Sequence, residues 1–182
     1  AGSSNKYLLK LSGQTVLPCR SIICFPYGGG SGTIYKDLAD AVQNQAKQYC
    51  VYTVNLPGHD WGGESSLQSN ETIAAELVKE IEAAVGGEII LYGHCVGSAL
   101  TLATANLLQQ DKVAIKAVFL GAIMPPAKLP LLSKQFDPWK LVSDRNILHF
   151  LGKIGLPKMK VQKEYRDVMI KSFRHDVKNY YH

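Results

Sequence analysis

The chain has little of what usually announces a special chemistry. Its four cysteines, Cys19, Cys24, Cys50 and Cys95, form no CxxC pair, and no His/Cys spacing suits a metal. A disulfide-dense scaffold is excluded and no metal site is expected. Cys24 and Cys50 fall in apolar runs, where cysteine behaves as a small hydrophobe, so a reducing, cytoplasmic compartment is the expectation. No apolar run is long enough to span a bilayer and none reads as a signal peptide, which leaves no membrane partner to expect. The net charge is +5, yet no Lys/Arg block interleaved with aromatics accompanies it. The bases are spread, densest from Lys153 to Lys178, which suits an acidic protein surface better than nucleic acid. Repeats and low-complexity tracts are absent.

What is there is apolar and periodic. At 46% hydrophobic, the 182 residues suffice for one core, and a single domain over 1–182 is expected. Ala1-Gly2-Ser3-Ser4 reads as a linker or expression scar. Tyr7 to Leu11 and the segment around Val16-Leu17 read as short antiparallel strands. Arg20 to Pro26 and Cys50 to Leu56 are near-continuous apolar runs, the mark of strands buried on both faces. Helical periods follow each, from Tyr35 to Ala46 and, capped by Ser69 or Asn70, from Ile73 to Val85, with Gly86-Gly87 closing the second. Val113 to Gly121 supplies a further strand, finished by Met124-Pro125-Pro126. Strands alternating with helices predict an α/β fold with a mostly parallel sheet. Beyond Pro126 the pattern becomes helical: a capped helix at Ser143 to Leu151, a break at Gly155-Leu156-Pro157, and an amphipathic helix from Glu164 to Tyr181. Two helices after a sheet strand suit a lid, over about residues 127–182.

The sharpest signal lies between Ile89 and Leu100. An apolar run ends at Gly93, Cys95 follows, then Gly97, then an apolar helical pattern through Leu107. This is the G-x-S-x-G nucleophile elbow with cysteine for serine. Both glycines are demanded by sterics, because a Cβ beside a nucleophile on a sharp strand-to-helix turn would strike a neighbouring element. A helix N-terminus aimed at the site predicts a thiolate at Cys95 and an oxyanion beside it. The loop Tyr27-Gly28-Gly29-Gly30-Ser31-Gly32 lacks the Lys-Ser/Thr of a P-loop and does not fit G-x-G-x-x-G. It reads either as a loop lending a backbone N–H to an oxyanion or as a plain connector.

Four stretches then carry a resemblance. They are Phe25-Pro26-Tyr27-Gly28-Gly29-Gly30-Ser31 with Tyr35, Leu56-Pro57-Gly58-His59, Tyr92 to Ser98, and Leu151 to Pro157 followed by Phe173-Arg174-His175-Asp176. In this order they resemble the F-P-x-A-G-G-S, L-P-G-R, G-H-S-M-G and L-G-G-L-P with L-R-A-D segments of the thioesterases of nonribosomal peptide and polyketide assembly lines, an α/β-hydrolase family. The resemblance implies that Cys95 is the nucleophile, taking an acyl or peptidyl chain from the phosphopantetheine of a carrier protein. It implies an oxyanion hole of the Gly28 and Val96 amides, and a substrate and lid region touching Tyr27, Gly29 and His94. It implies no cofactor beyond the substrate's own phosphopantetheine arm, and a carrier protein as partner, in a multidomain synthetase or between separate proteins. Val118 to Ala122, a strand that ends without an acid, resembles the stand-alone editing branch.

Two departures from the family pattern stand out. A cysteine nucleophile turns one thioester into another, so the intermediate stays activated for release by hydrolysis, cyclisation or aminolysis; a cysteine put in place of a natural serine to trap the acyl-enzyme is the alternative. The hydrolase order also calls for an acid and a His after the elbow. His94 neighbours the elbow, His59 sits in a turn, His149 and His175 lie on lid helices, His182 is last, and Asp176 reads as structural. No base and no acid are assigned, and a fragment lacking the C-terminal strands is expected. Three readings remain open: a release thioesterase or an editing one, a module that binds carrier protein without turnover, and a small-ester hydrolase of the dienelactone type.

Overall fold

The computed structural model describes residues 5–13, 20–59, 66–122, 141–153 and 163–181. Among the described residues five strands form one sheet: β1 (Leu8–Ser12), β2 (Arg20–Phe25), β3 (Tyr49–Val54), β4 (Ile89–His94) and β5 (Ile115–Gly121), in the spatial order β1-β3-β2-β4-β5. β1 runs antiparallel to β3 and every other pairing is parallel. The α/β reading and the mostly parallel sheet are what the structure shows.

Alternation along the strands divides the core between two faces. Ile23 and Phe25 of β2 and Leu91 of β4 join the larger cluster, under helices α2 (Asn70–Ala84) and α3 (Gly97–Gln110). Cys24 of β2 and Val51 of β3 face the other way, under Tyr35 and Ala39 of a 3₁₀ turn (Gly32–Tyr35) and α1 (Lys36–Gln45). α2 begins where the sequence places its cap, with Ser69 Oγ accepting the Thr72 N–H at 3.3 Å. Glu80 on the same helix accepts the amides of Lys6, Tyr7 and Leu8 at 2.8–3.0 Å, fixing the start of β1.

The two late helices are α4 (Asp144–Lys153), whose Asn146 amide donates to Ser143 Oγ, and α5 (Lys163–Tyr181). They form their own cluster of Ile147, Leu151, Met169, Ile170, Phe173 and Val177, with Val96 packed against it. Arg174 of α5 ties the pair together by donating to Val142 O and Asp144 Oδ1, each at 2.7 Å.

β5 is open on one side: Phe119 is 56% exposed and Val118 is 38% exposed, because β5 has a paired neighbour on one side alone among the described residues. One expectation is corrected. Cys50, though buried in β3, is disulfide-bonded, so its reading as a small hydrophobe fails, and with it the argument from Cys50 for a reducing compartment. The strand expected near Val16-Leu17, the Met124-Pro125-Pro126 turn, the Gly155-Leu156-Pro157 break, His182 and the first four residues lie outside the described residues. No described helix is long and apolar enough to cross a membrane.

Candidate active site

Sheet order brings the candidate residues together. β2 lies between β3 and β4, with Phe25 opposite Gly93, so the loops leaving β2, β3 and β4 emerge side by side at the carboxyl edge of the sheet. The first is the glycine-rich loop, the second ends in the Leu56-Pro57-Gly58-His59 turn, and the third is the elbow.

Cys95 has φ +54°, a left-handed conformation that non-glycine residues rarely adopt. Its amide donates to Gly121 O at 2.8 Å and its carbonyl accepts the Ser98 N–H at 3.1 Å, so the turn is held from β5 and from the first turn of α3. The two glycines are needed for the reason sterics gave. A Cβ on Gly97 would run into the carbonyl oxygens of Pro26 and Phe25, and one on Gly93 into the Thr101 side chain. The helix therefore starts in contact with the β2 exit, which fixes the elbow relative to the glycine-rich loop.

Gly28 lies against Val96: a Cβ there would come to 2.9 Å from Val96 Cγ2 and 3.2 Å from the Phe173 ring. The two residues expected as oxyanion donors are thus neighbours, and α5 closes over them. At Gly29, φ is +73° and a Cβ would meet Met169 O at 3.1 Å, so its lack of a side chain serves the approach of α5. Tyr27 and His94, expected near substrate and lid, pack edge to face with ring centroids 6.1 Å apart. Burial pushes the Tyr27 phenol above its ordinary range, and proximity to Tyr165 of α5 adds to this.

The thiolate expectation is corrected. Burial pushes the Cys95 thiol above its ordinary range, and the hydrogen bond from the Val96 amide offsets this only in part. The environment of Cys95 thus favours the thiol over the thiolate. Among the described residues no histidine hydrogen-bonds to it, and no cluster of His, Cys, Asp and Glu could hold a metal.

A pair that the sequence leaves in separate roles meets beside this site. His59 Nε2 lies 2.7 Å from Asp176 Oδ2, across 117 positions of sequence, with side chains 2% and 12% exposed. The same carboxylate oxygen accepts the Gly29 N–H at 2.9 Å. His59 Nδ1 is 3.1 Å from Pro57 O, and Ser172 Oγ donates to Gly58 O at 3.1 Å. Burial alone would push the Asp176 carboxyl up, yet hydrogen bonds from His175, His59 and the Gly29 amide, with the nearby imidazole, bring it below its usual value. His59 and Asp176 also border a small cavity with Val96 and Gly97, one wall of which is the elbow. The signal is present in the turn and α5 motifs, but nothing in sequence distance couples them.

Comparison with known proteins agrees with this geometry. The family described as thioesterase domain matches residues 20–156. A search of curated proteins matches phenyloxazoline synthase MbtB of Mycobacterium tuberculosis, 24% identical over 108 residues, which are 59% of this chain and 8% of that protein. The chain thus spans a small part of the curated relative. Among solved structures, the type II thioesterase BorB from the borrelidin biosynthetic cluster superposes with a TM-score of 0.75 at 21% identity, covering 99% of this chain and 71% of that one. RedJ, a thioesterase from the prodiginine pathway of Streptomyces coelicolor, gives a TM-score of 0.69 at 19% identity, over 89% of this chain and 62% of that one. YbtT, a type II thioesterase from the yersiniabactin pathway, gives 0.63 at 21% identity, over 97% and 68%. A strained elbow beside a glycine-rich loop on a mostly parallel sheet, with the family matching three quarters of the chain, places it in one group: it belongs to the thioesterase domain family, on an α/β-hydrolase-like fold.

Proposed function

We propose that the chain acts on acyl or peptidyl groups carried on the phosphopantetheine arm of a carrier protein. The acyl group passes to Cys95 and leaves by hydrolysis, cyclisation or aminolysis. The carrying observation is the elbow: a cysteine at φ +54°, its sulfur met by the Val96 amide, with Gly28 packed against Val96. A tetrahedral oxyanion requires two amide donors beside the nucleophile, a role these neighbours are suited to supply, and loss of one such donor typically costs about 2.7–4 kcal/mol of barrier. In the acylating step the sulfur attacks the thioester carbonyl, the amides of Val96 and Gly28 hold the developing oxyanion, and the pantetheine thiol leaves with a proton. Tyr27, Gly29 and His94 border the acyl channel. No cofactor or metal takes part in this reading. The relatives' type II thioesterase names support a separate editing protein, one that clears misacylated carriers; the match within a long synthase supports an integral release domain.

One observation favours a second reading. With a half-buried thiol and no histidine bonded to it among the described residues, the polypeptide takes up an acyl group and keeps it. Intact-mass spectrometry after incubation with an acyl-pantetheine thioester separates the two. Turnover with transient mass gain supports release, and a stable adduct absent from Cys95→Ala supports uptake alone. No adduct and no turnover would overturn the assignment of Cys95.

A further inference from the structure

The most constrained polar group outside the elbow is the His59–Asp176 pair. Both ring nitrogens of His59 face acceptors: Nδ1 a backbone carbonyl at 3.1 Å, Nε2 a carboxylate oxygen at 2.7 Å. A carbonyl oxygen has no proton to give. An ionised carboxylate has none either, and Asp176 Oδ2 already accepts the Gly29 N–H. A neutral imidazole, with one N–H, would leave one of these contacts without a proton. The remaining contacts agree with a charged pair. His175 Nδ1 lies 3.4 Å from Asp176 Oδ1, and Asn179 holds His175 from the next turn of α5. The other walls of the small cavity beside the pair, Leu56, Gln68, Asn70 and Ile73, carry no charge. His175 and Asp176 are thus the titratable groups that face His59 among the described residues.

We propose that His59 and Asp176 are a charged positioning pair, an imidazolium that donates from both nitrogens and a carboxylate that holds the Gly29 amide, so that α5 sets the position of the neighbouring Gly28 amide at the elbow. The inference deepens the thioesterase reading and rests on it for the role of Gly28. The carboxylate is carried by the helix that covers the site, and the amide it grips is one residue from the expected oxyanion donor. Docking of α5 and assembly of the oxyanion hole are then one event. Arginine in place of His59 would present the same charge, so a cation is what the position requires.

Three readouts on the full chain test this. The ¹⁵N spectrum of the histidine side chains at pH 7.5 is expected to show His59 with both nitrogens protonated; a neutral tautomer would overturn the proposal. In His59→Gln, the Gly29 amide should exchange with solvent about tenfold faster, the size expected for losing a hydrogen bond to a charged group. Acylation of Cys95 by an acyl-pantetheine thioester should slow by a similar factor, while its alkylation by iodoacetamide, which uses no oxyanion hole, stays within about twofold. His59→Arg should restore both. Equal loss in the Gln and Arg variants, or parallel loss of acylation and alkylation, would reduce the pair to general stability and overturn the proposal. If the wild-type chain takes up no acyl group while the spectrum and the exchange behave as expected, the thioesterase reading fails and the charged pair stands.

Discussion

At the scale of single residues, the site is defined by where side chains are forbidden. Gly97 sits where a Cβ would strike Pro26 O, so Gly97→Ala is expected to cost about 3 kcal/mol in urea denaturation, the upper range for an overpacked site. Gly152, near the end of α4, has nothing within 4 Å of the point where a methyl group would stand, and Gly152→Ala should stabilise by about 1 kcal/mol through helix propensity alone. The pair of variants separates a steric glycine from a dispensable one. Cys95 gives the third expectation at this scale. Because burial raises its thiol, the rate of alkylation should be slow at neutral pH and still climb past about pH 10, where an ordinary thiol of pKa about 8.5 is almost fully ionised. A rate that levels off below that point would show that a cation near Cys95 outweighs its burial.

At the scale of elements, α5 is the part whose attachment is electrostatic as well as apolar. Its apolar face, Met169, Ile170, Phe173 and Val177, packs on α4 and Val96, and the Phe173 ring meets that of Phe150 at a tilt of 55° with centroids 6.0 Å apart. Asp176 adds the contacts to His59 and Gly29. Its carboxyl titrates below the usual aspartate value in the folded protein, so its contribution is whole at neutral pH. The contribution begins to fall as pH drops through the unfolded value of about 3.9 and is lost once pH passes below the still lower folded value. Thermal unfolding followed against pH should show this acid limb, and Asp176→Asn should flatten it while lowering the melting temperature at pH 7. An unchanged acid limb in that variant would remove Asp176 from the attachment of α5.

At the scale of the whole molecule, the sheet is asymmetric among the described residues. β1 closes one side, short and antiparallel, whereas β5 presents Val118 and Phe119 to solvent beside an open groove floored by Leu102, Ala105 and Ile115. An exposed apolar edge strand favours association through its backbone. The polypeptide is expected to self-associate with rising concentration in sedimentation velocity, and Phe119→Lys to reduce that association without changing the melting temperature by more than about 2 °C, as for a surface substitution.

Much of this is legible in order of sequence. The apolar runs mark the strands, the Ser69 cap and the Gly86-Gly87 stop bound α2, and two glycines around Cys95 place the elbow, because each depends on neighbours within a few residues. The exposure of β5 is not legible, because an apolar run reports composition and not which strand has a partner on its second side. Cys95 reads as a thiolate, because a helix N-terminus can be counted in sequence whereas the depth of a sulfur cannot. What the chain order does not contain is the meeting of the β3 turn with α5. His59 and Asp176 are brought together by strand order, which sets the exits of β2, β3 and β4 side by side, and by the docking of α5 across them. Sequence alone determined the local geometry of the turn at Cys95; only the tertiary structure decided what holds the glycine-rich loop, since a carboxylate and an imidazole 117 residues apart meet through packing and the carboxylate takes the Gly29 amide.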